Sequence, residues 1–333
     1  IYRLLTNMYS FSDKNQKIAL IGCGYWGTII AKTLINLKFK NIIIYDRFKK
    51  NSVTLKKKYN NLKIENNFEN ILNNDLIKNV LLAIPPSQSF IYIKKILNSK
   101  KNVFVEKPGV TNIDKLKILN NIAIRNKSKL MFGYIYCYND YIIKIQKILK
   151  KKILGRINYL SFQRQNLGPI RNDVDVDYDL TSHDLSIINK LFGKLPKILS
   201  YKKYAILKNG ISDISNLHLK LDNFFIDINN SWLNPIKIRK ISIIGEKKML
   251  LFDEMNLEQP IKIYNQYAKY PKIEQFKKKF FESKAQIYNG KNYNVKTISR
   301  PALNNELKYF FSNKNNETDF KLALKILNFL KRI

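Results

Sequence analysis

Lys17-Ile18-Ala19-Leu20-Ile21-Gly22-Cys23-Gly24-Tyr25-Trp26-Gly27 carries an apolar run straight into three closely spaced glycines. The first five residues read as a buried strand. From Tyr25 onward Trp26, Ile29, Ile30, Leu34 and Leu37 recur at helical spacing. Ile42 to Tyr45 then forms a second apolar strand that ends at Asp46. In a strand–turn–helix corner of this kind, Gly22 permits the tight turn. Gly24 lets the backbone come close to a ligand, and Gly27 lets helix and strand pack closely. The helix start adds free N–H donors and a positive dipole end, which suit an anion. Asp46 follows Gly27 by about twenty residues, where an acid bonds the ribose hydroxyls of a dinucleotide. A structural turn would explain the glycines alone; strand, helix, strand and terminal acid in that order point to dinucleotide binding.

At 333 residues the chain is long for one core, so two domains are expected. Its 45% hydrophobic content suits a globular fold. No apolar run approaches the roughly 20 residues that span a bilayer, and no secretory signal pattern opens the chain. Two cysteines make no disulfide framework, and a reducing cytoplasm is the expected setting. Because Met8 closely precedes the first strand, residues 1–7 are expected to lie outside the working protein, within a disordered extension over 1–15. The formal charge of +35 invites a nucleic-acid partner. Against it, Lys far outnumbers Arg and is spread along the helices, and no DNA- or RNA-binding motif or metal-ligand spacing appears. No specific nucleic acid, membrane or metal is expected; a general attraction to anionic substrates remains.

Strand and helix signals alternate to about residue 135: strands at Lys63–Ile64, Asn79–Ile84, Asn102–Val105 and Lys129–Gly133, with helices between. That alternation implies a doubly wound parallel sheet, a Rossmann domain over 16–135. Beyond it strand signals dominate, with one helix from Ser182 to Leu191 and closing helices near 307–311 and 320–330. Residues 136–333 are therefore expected to form an α+β domain, with a mostly antiparallel sheet, for substrate and subunit contacts. The stretch 266–300 reads as an extended loop.

Glu106-Lys107-Pro108 follows a strand directly, at the sheet edge where ligands gather. Lys107 can reach a cofactor from there, or be one more exposed lysine paired with Glu106. His183, one of two histidines, sits in Asp179-Leu180-Thr181-Ser182-His183-Asp184. Thr181 or Ser182 is the expected N-cap of the helix that follows. Asp179, four residues earlier, can orient the imidazole; a histidine satisfied by helix-end bonds is the alternative. His218, in an alternating strand, reads as structural.

The combination resembles the Gfo/Idh/MocA family of nicotinamide-dependent oxidoreductases over about residues 16–331. The resemblance rests on Gly22–Gly27, Asp46, Ala83-Ile84-Pro85-Pro86-Ser87, Glu106-Lys107-Pro108 and Asp179 to Asp184. Gly133 to Asn139, Arg164 to Gly168 and Ser231-Trp232-Leu233 are similar to members acting on sugars or nucleotide sugars in surface-polysaccharide pathways. The resemblance implies cofactor contacts from Gly22, Gly24, Tyr25, Trp26, Gly27, Asp46, Arg47, Ile84, Pro85, Ser87, Glu106 and Lys107. It implies catalytic roles for Lys107, His183 and Asp179, and substrate contacts from Tyr134, Arg164, Asn166, Asp179 and His183. For Arg164 and Asn166, strand-end hydrogen bonding is the alternative. Two positions depart from the family: Ser89, where a His is frequent, and Cys137, where an aliphatic residue or Arg is frequent.

The implied cofactor is NAD, since Asp46 repels a 2′-phosphate; the adjacent Arg47 leaves NADP possible. The implied activity is hydride transfer between the nicotinamide and a secondary alcohol or ketone of a sugar, by a homodimer or homotetramer. A keto-sugar or imine reductase, and a non-catalytic anion-binding protein, are the alternatives.

Overall fold

The computed structural model describes residues 14–269, 285–312 and 318–333. Of the disordered extension expected over residues 1–15, residues 1–13 lie outside the described residues.

Contacts divide the chain into two units. The first is built on six parallel strands: β1 Lys17–Ile21, β2 Asn41–Tyr45, β3 Lys63–Ile64, β4 Ile77–Leu82, β5 Asn102–Glu106 and β6 Leu130–Gly133. Their order, β3-β2-β1-β4-β5-β6, reverses direction between β1 and β4. Helices α1 Tyr25–Asn36, α2 Lys49–Lys58, α3 Phe68–Asn73, α4 Pro86–Asn98 and α5 Ile113–Arg125 connect them. This is the expected Rossmann sheet. Strands β1 and β4 are buried on both faces nearly throughout, which is why they read as unbroken apolar runs. Pro86 opens α4, where a missing N–H costs nothing. The Asn112 side chain caps α5 by accepting the Lys115 N–H.

The second unit spans Asp140–Ser299. It contains α6 Asp140–Lys150, β7 Ile157–Leu167, α7 Ser182–Phe192, β8 Lys197–Tyr204, β9 Ile214–Leu221, β10 Phe224–Ser231, β11 Leu233–Gly245, β12 Met249–Asp253 and β13 Ile261–Tyr264. These strands, with β16 Tyr293–Asn294, form an eight-stranded sheet ordered β16-β13-β12-β11-β7-β10-β9-β8. It is antiparallel except where β7 meets β10. Leu217, Leu219 and Leu221 on β9 face inward with Phe224, Ile226 and Ile228 on β10, the alternation of a half-buried sheet. The stretch expected as an extended loop contains strands instead. Besides β16, β14 Gln266–Lys269 pairs with β15 Gln286–Asn289, and Tyr267 stacks on Tyr288 across that pair at 4.7 Å. Cross-strand aromatic pairing outweighs the weak local pattern there.

The chain then returns to the first unit. Helices α8 Ala302–Phe310 and α9 Phe320–Leu330, grouped by sequence with the second domain, pack with the Rossmann sheet. Lys129 Nζ donates to the carbonyls of Phe310 and Ser312 at 2.9 and 2.6 Å, closing the end of α8. Phe310 meets Phe104 of β5, and Tyr309 meets Tyr138. Their apolar faces, read correctly as helical, carry no mark of which sheet they cover.

Candidate functional site

The glycine corner between β1 and α1 is shaped by two close approaches. Gly22 has φ +93°, and a Cβ there would lie 2.3 Å from the Ala83 carbonyl oxygen. A Cβ on Gly27 would lie 1.9 Å from the oxygen of Gly22, so helix and turn touch backbone to backbone. Gly24 is different: a Cβ there would meet nothing within 4 Å. Its φ of −74° suits any residue, so no local contact or strain requires glycine. The open side belongs to whatever approaches the loop. Helix α1 begins there with no side-chain cap and no acid in its first turn, and its first backbone bond runs from Thr28 N–H to the Gly24 carbonyl. That is a fit for a pyrophosphate.

Next to this corner lies a cleft of about 220 Å³, lined by Gly22, Gly24, Asp46, Arg47, Ile84 and Pro85 among others. Asp46 is held firmly. Its Oδ2 accepts the Cys23 N–H at 2.7 Å, while Oδ1 accepts the Phe48 N–H at 2.8 Å and the Asn51 amide at 3.1 Å. The Arg47 guanidinium lies over the Phe48 ring at 4.6 Å. Burial, then the Asp46 charge, pushes the Cys23 thiol up to about 12, so this cysteine is no nucleophile at neutral pH. Sequence reasoning missed Asn51, Gln88 and Tyr92, which also line the cleft. Pro85, Gln88 and Tyr92 fall at steps of three and four on α4, so helical spacing held a signal for two of them. Tyr25, Trp26 and Ser87 are exposed near the corner and do not line this cleft, and Gly27 is buried behind it.

Glu106 and Lys107 stand at the end of β5 in the same unit, both partly buried. Burial pushes the Glu106 carboxyl up to about 7, against the pull of the Lys107 charge and of the Lys107 backbone N–H that it accepts. Tyr134 is fully buried, its hydroxyl has no hydrogen-bond partner among the described residues, and burial raises its phenol. A buried ring of this kind reads as core rather than as the expected substrate contact.

In the second unit the expected N-cap is replaced by a π-helical turn over Asp177–Thr181, which runs directly into α7. The Ser182 N–H donates to the Asp177 carbonyl, five residues back. Thr181 is helical itself, and its hydroxyl donates to buried Asp177 Oδ1 at 2.5 Å, an oxygen that Ser215 also reaches at 2.6 Å. His183 is therefore carried inside a continuous helical stretch rather than at a free helix start. Asp179 Oδ2 accepts the indole N–H of fully buried Trp232 at 3.1 Å, which fixes the carboxylate. Arg164 is buried and donates from Nε and Nη2 to Asp184 Oδ1 at 3.0 and 2.9 Å. Asn230 supports the same carboxylate through Oδ2 at 3.1 Å. The Asn166 amide bonds the Gly168 carbonyl and its oxygen accepts from Arg239. For these two residues the structural alternative is the one observed. His218 bonds Asp227 across β9 and β10 at 2.9 Å, a surface pair.

Residues 16–134 match the family described as the oxidoreductase family with NAD-binding Rossmann fold, GFO_IDH_MocA. The match is confined to the Rossmann unit and leaves the second unit uncovered. A curated oxidoreductase from Formosa agariphila is 27% identical over 161 residues, covering 44% of this chain and 49% of that protein. The chain thus matches about half the length of that relative. Among solved structures, a UDP-N-acetylglucosamine 3-dehydrogenase from Acidithiobacillus ferrooxidans is similar at TM-score 0.76 and 17% identity, over 96% of both chains. A 3-ketoreductase variant from Actinomadura kijaniata, solved with TDP-benzene and NADP, is similar at TM-score 0.77 and 11% identity, again over 96% of both. At such identities these structures carry the fold alone.

The open side of Gly24 makes a direct test of the glycine corner. Gly24→Val is expected to change stability by no more than about 1 kcal/mol, because a Cβ there meets nothing within 4 Å. NADH affinity, read by fluorescence titration, should fall at least tenfold; unchanged affinity would place the dinucleotide elsewhere. Arg164→Met should cost about 3–5 kcal/mol in a denaturant melt, by stranding buried Asp184. NADH affinity should stay level at low denaturant.

Proposed function

We propose that this protein transfers a hydride between NAD(P) and a secondary alcohol or ketone of a sugar or nucleotide sugar. The observation that carries the proposal is the open Gly24 corner, beside a cleft with a fixed Asp46, in the same unit as Lys107. Asp46 beside that cleft supports NAD, and Arg47 lining it keeps NADP within reach. The sugar class is supported by the sequence resemblance and by the names of two structural relatives.

The bound nicotinamide supplies or accepts the hydride. The protein's own residues then have two tasks: to hold the reacting hydroxyl and to move its proton. Lys107, as an ammonium, stabilises the charge that develops on oxygen as a carbonyl forms. His183 is the general base in the oxidative direction and the acid in reverse, since imidazole ordinarily titrates near neutrality. Asp179 orients the site, and its carboxylate is already fixed by Trp232. The same groups serve reduction of a keto-sugar, so the physiological direction follows from the substrate supplied. A place in surface-polysaccharide synthesis in the cytoplasm is the setting we propose on the resemblance.

The assembly we propose is a homodimer or homotetramer. The eight-stranded sheet leaves Phe225 and Ile244 exposed in one cross-strand row on either side of Tyr159, apolar side chains that subunit pairing would cover. Sedimentation velocity at micromolar concentration should give a dimer or larger, and Phe225→Asp should weaken it; a monomer in both would exclude this assembly. For the activity, Lys107→Ala should leave NADH affinity within about threefold while lowering turnover on a nucleotide-sugar panel by about 10²–10⁴-fold. Unchanged turnover would remove Lys107 from the reaction. Salt-sensitive binding to anionic polymers with no turnover of any panel member would favour the non-catalytic alternative.

A further inference from the structure

One group in the Rossmann unit is unexplained by any of these roles. Glu306 lies on α8 between Leu303 and Phe310, on the stripe that faces the sheet, and is fully buried. Both of its carboxylate oxygens lack a hydrogen-bond partner among the described residues. An ionised carboxylate without donors, away from water, is among the costliest arrangements a fold can hold. Its charged neighbour is Glu106. That side chain lies over Gly133, where a Cβ would sit 2.9 Å from Glu106 Oε2, and the two residues are register partners on β5 and β6. Glycine is the residue that leaves the carboxylate room. The charged groups that act on Glu106 are Lys107 from its own turn and Glu306 from α8; β6 offers uncharged Gly133, and β4 offers Leu82 beside Val105.

We propose that Glu106 and Glu306 hold a single proton between them at neutral pH, and that the one negative charge left on the pair positions Lys107 as an ammonium. The proton resides on Glu306, whose burial is the deeper, and its O–H satisfies a pair that otherwise has no donor between its two members. Glu106 keeps the charge, held by the Lys107 backbone N–H and facing the Lys107 side-chain charge. Both carboxyls are raised, Glu306 by burial and then by the Glu106 charge. The stability this contributes is complete below the unfolded carboxylate value and drains as pH rises through the raised value of Glu306. Glu306 is thus a positioning residue, acting through Glu106. The inference rests on the proposed role of Lys107 only for its catalytic consequence.

The experiment uses the full chain with Glu306→Gln and Glu106→Gln, and needs no substrate. Infrared spectra at pH 8.5, above the Glu106 value, should show the carbonyl stretch of a protonated carboxyl in the parent and in Glu106→Gln, and lose it in Glu306→Gln. Between pH 5 and 9 the melting temperature of the parent should fall about 3 °C further than that of Glu306→Gln, the size of one shifted carboxyl. Amine acetylation at Lys107, followed by mass spectrometry at pH 7.5, should rise in Glu106→Gln and stay level in Glu306→Gln. A spectrum with no protonated carboxyl, or one that survives in Glu306→Gln, overturns the shared proton. Equal acetylation in all three proteins overturns the positioning of Lys107. Loss of the proposed sugar activity would leave all three readouts standing, so the two failures are separable.

Discussion

The oxygen of Gly22 sits where a Cβ on Gly27 would have to go, 1.9 Å away, and the rest of the Rossmann unit depends on that contact. It brings the first turn of α1 down onto the end of β1 and leaves the helix start open. The turn is pinned on its other side by the Gly22 N–H bond to the Tyr45 carbonyl and by the Ala83 N–H bond to Ile21. Three strand ends are thereby locked together at the point where the sheet order reverses. The cleft beside the corner exists because adjacent parallel strands send their chains to opposite faces there. Asp46 ties into the same corner through the Cys23 N–H, so the acid that faces the cleft also braces the loop that would hold the phosphates.

How much of this was legible in the sequence depends on whether the constraint was local. Strands β1, β4, β5 and β6 of the first sheet were readable because burial on both faces demands continuous apolar runs. The glycine corner was readable because backbone contact leaves a compositional trace. The return of α8 and α9 to the first sheet was not. Leu307, Phe310, Leu322 and Ile326 describe faces that need covering, and amphipathic faces carry no address. The π turn ahead of α7 was hidden for a related reason. Thr181 and Ser182 have the chemistry of N-caps, but Thr181 is held by buried Asp177, and Asn230 donates to its hydroxyl at 2.8 Å. That network joins residues about fifty positions apart, and no local pattern displays it.

Candidate site residues divide along the same line. Asp46, Ile84 and Pro85 line the cleft, and each was conspicuous in the sequence because it ends a strand or opens a helix. Arg164 and Asn166 looked like recognition residues because Arg and Asn at a strand end are equally suited to substrates and to internal bonds. The buried Arg164–Asp184 pair resolves Arg164 toward structure, and it explains an otherwise costly arginine in the interior. Glu306 carried a faint signal of its own: an acid three residues after Leu303 and four before Phe310 interrupts an apolar stripe. On a helix this polar, such an interruption reads as an edge until the packing shows its burial.

Two buried ionic arrangements show how this chain manages charge where water is absent. In the second unit Arg164 and Asp184 cancel each other, with Asn230 taking the remaining lone pair. In the first unit the neighbours have the same sign, and a proton is the means of neutralising one of them without a counter-ion. The net charge of +35 does not change that choice. Lysines exposed on helices such as α2 are screened beyond about 8 Å at physiological salt. A basic surface draws anions toward the protein at long range, while protonation of Glu306 follows from its burial and the Glu106 charge. The setting of Glu106 is accordingly a property of its immediate neighbours, Lys107 in its own turn and Glu306 on the helix that returns from the far end of the chain.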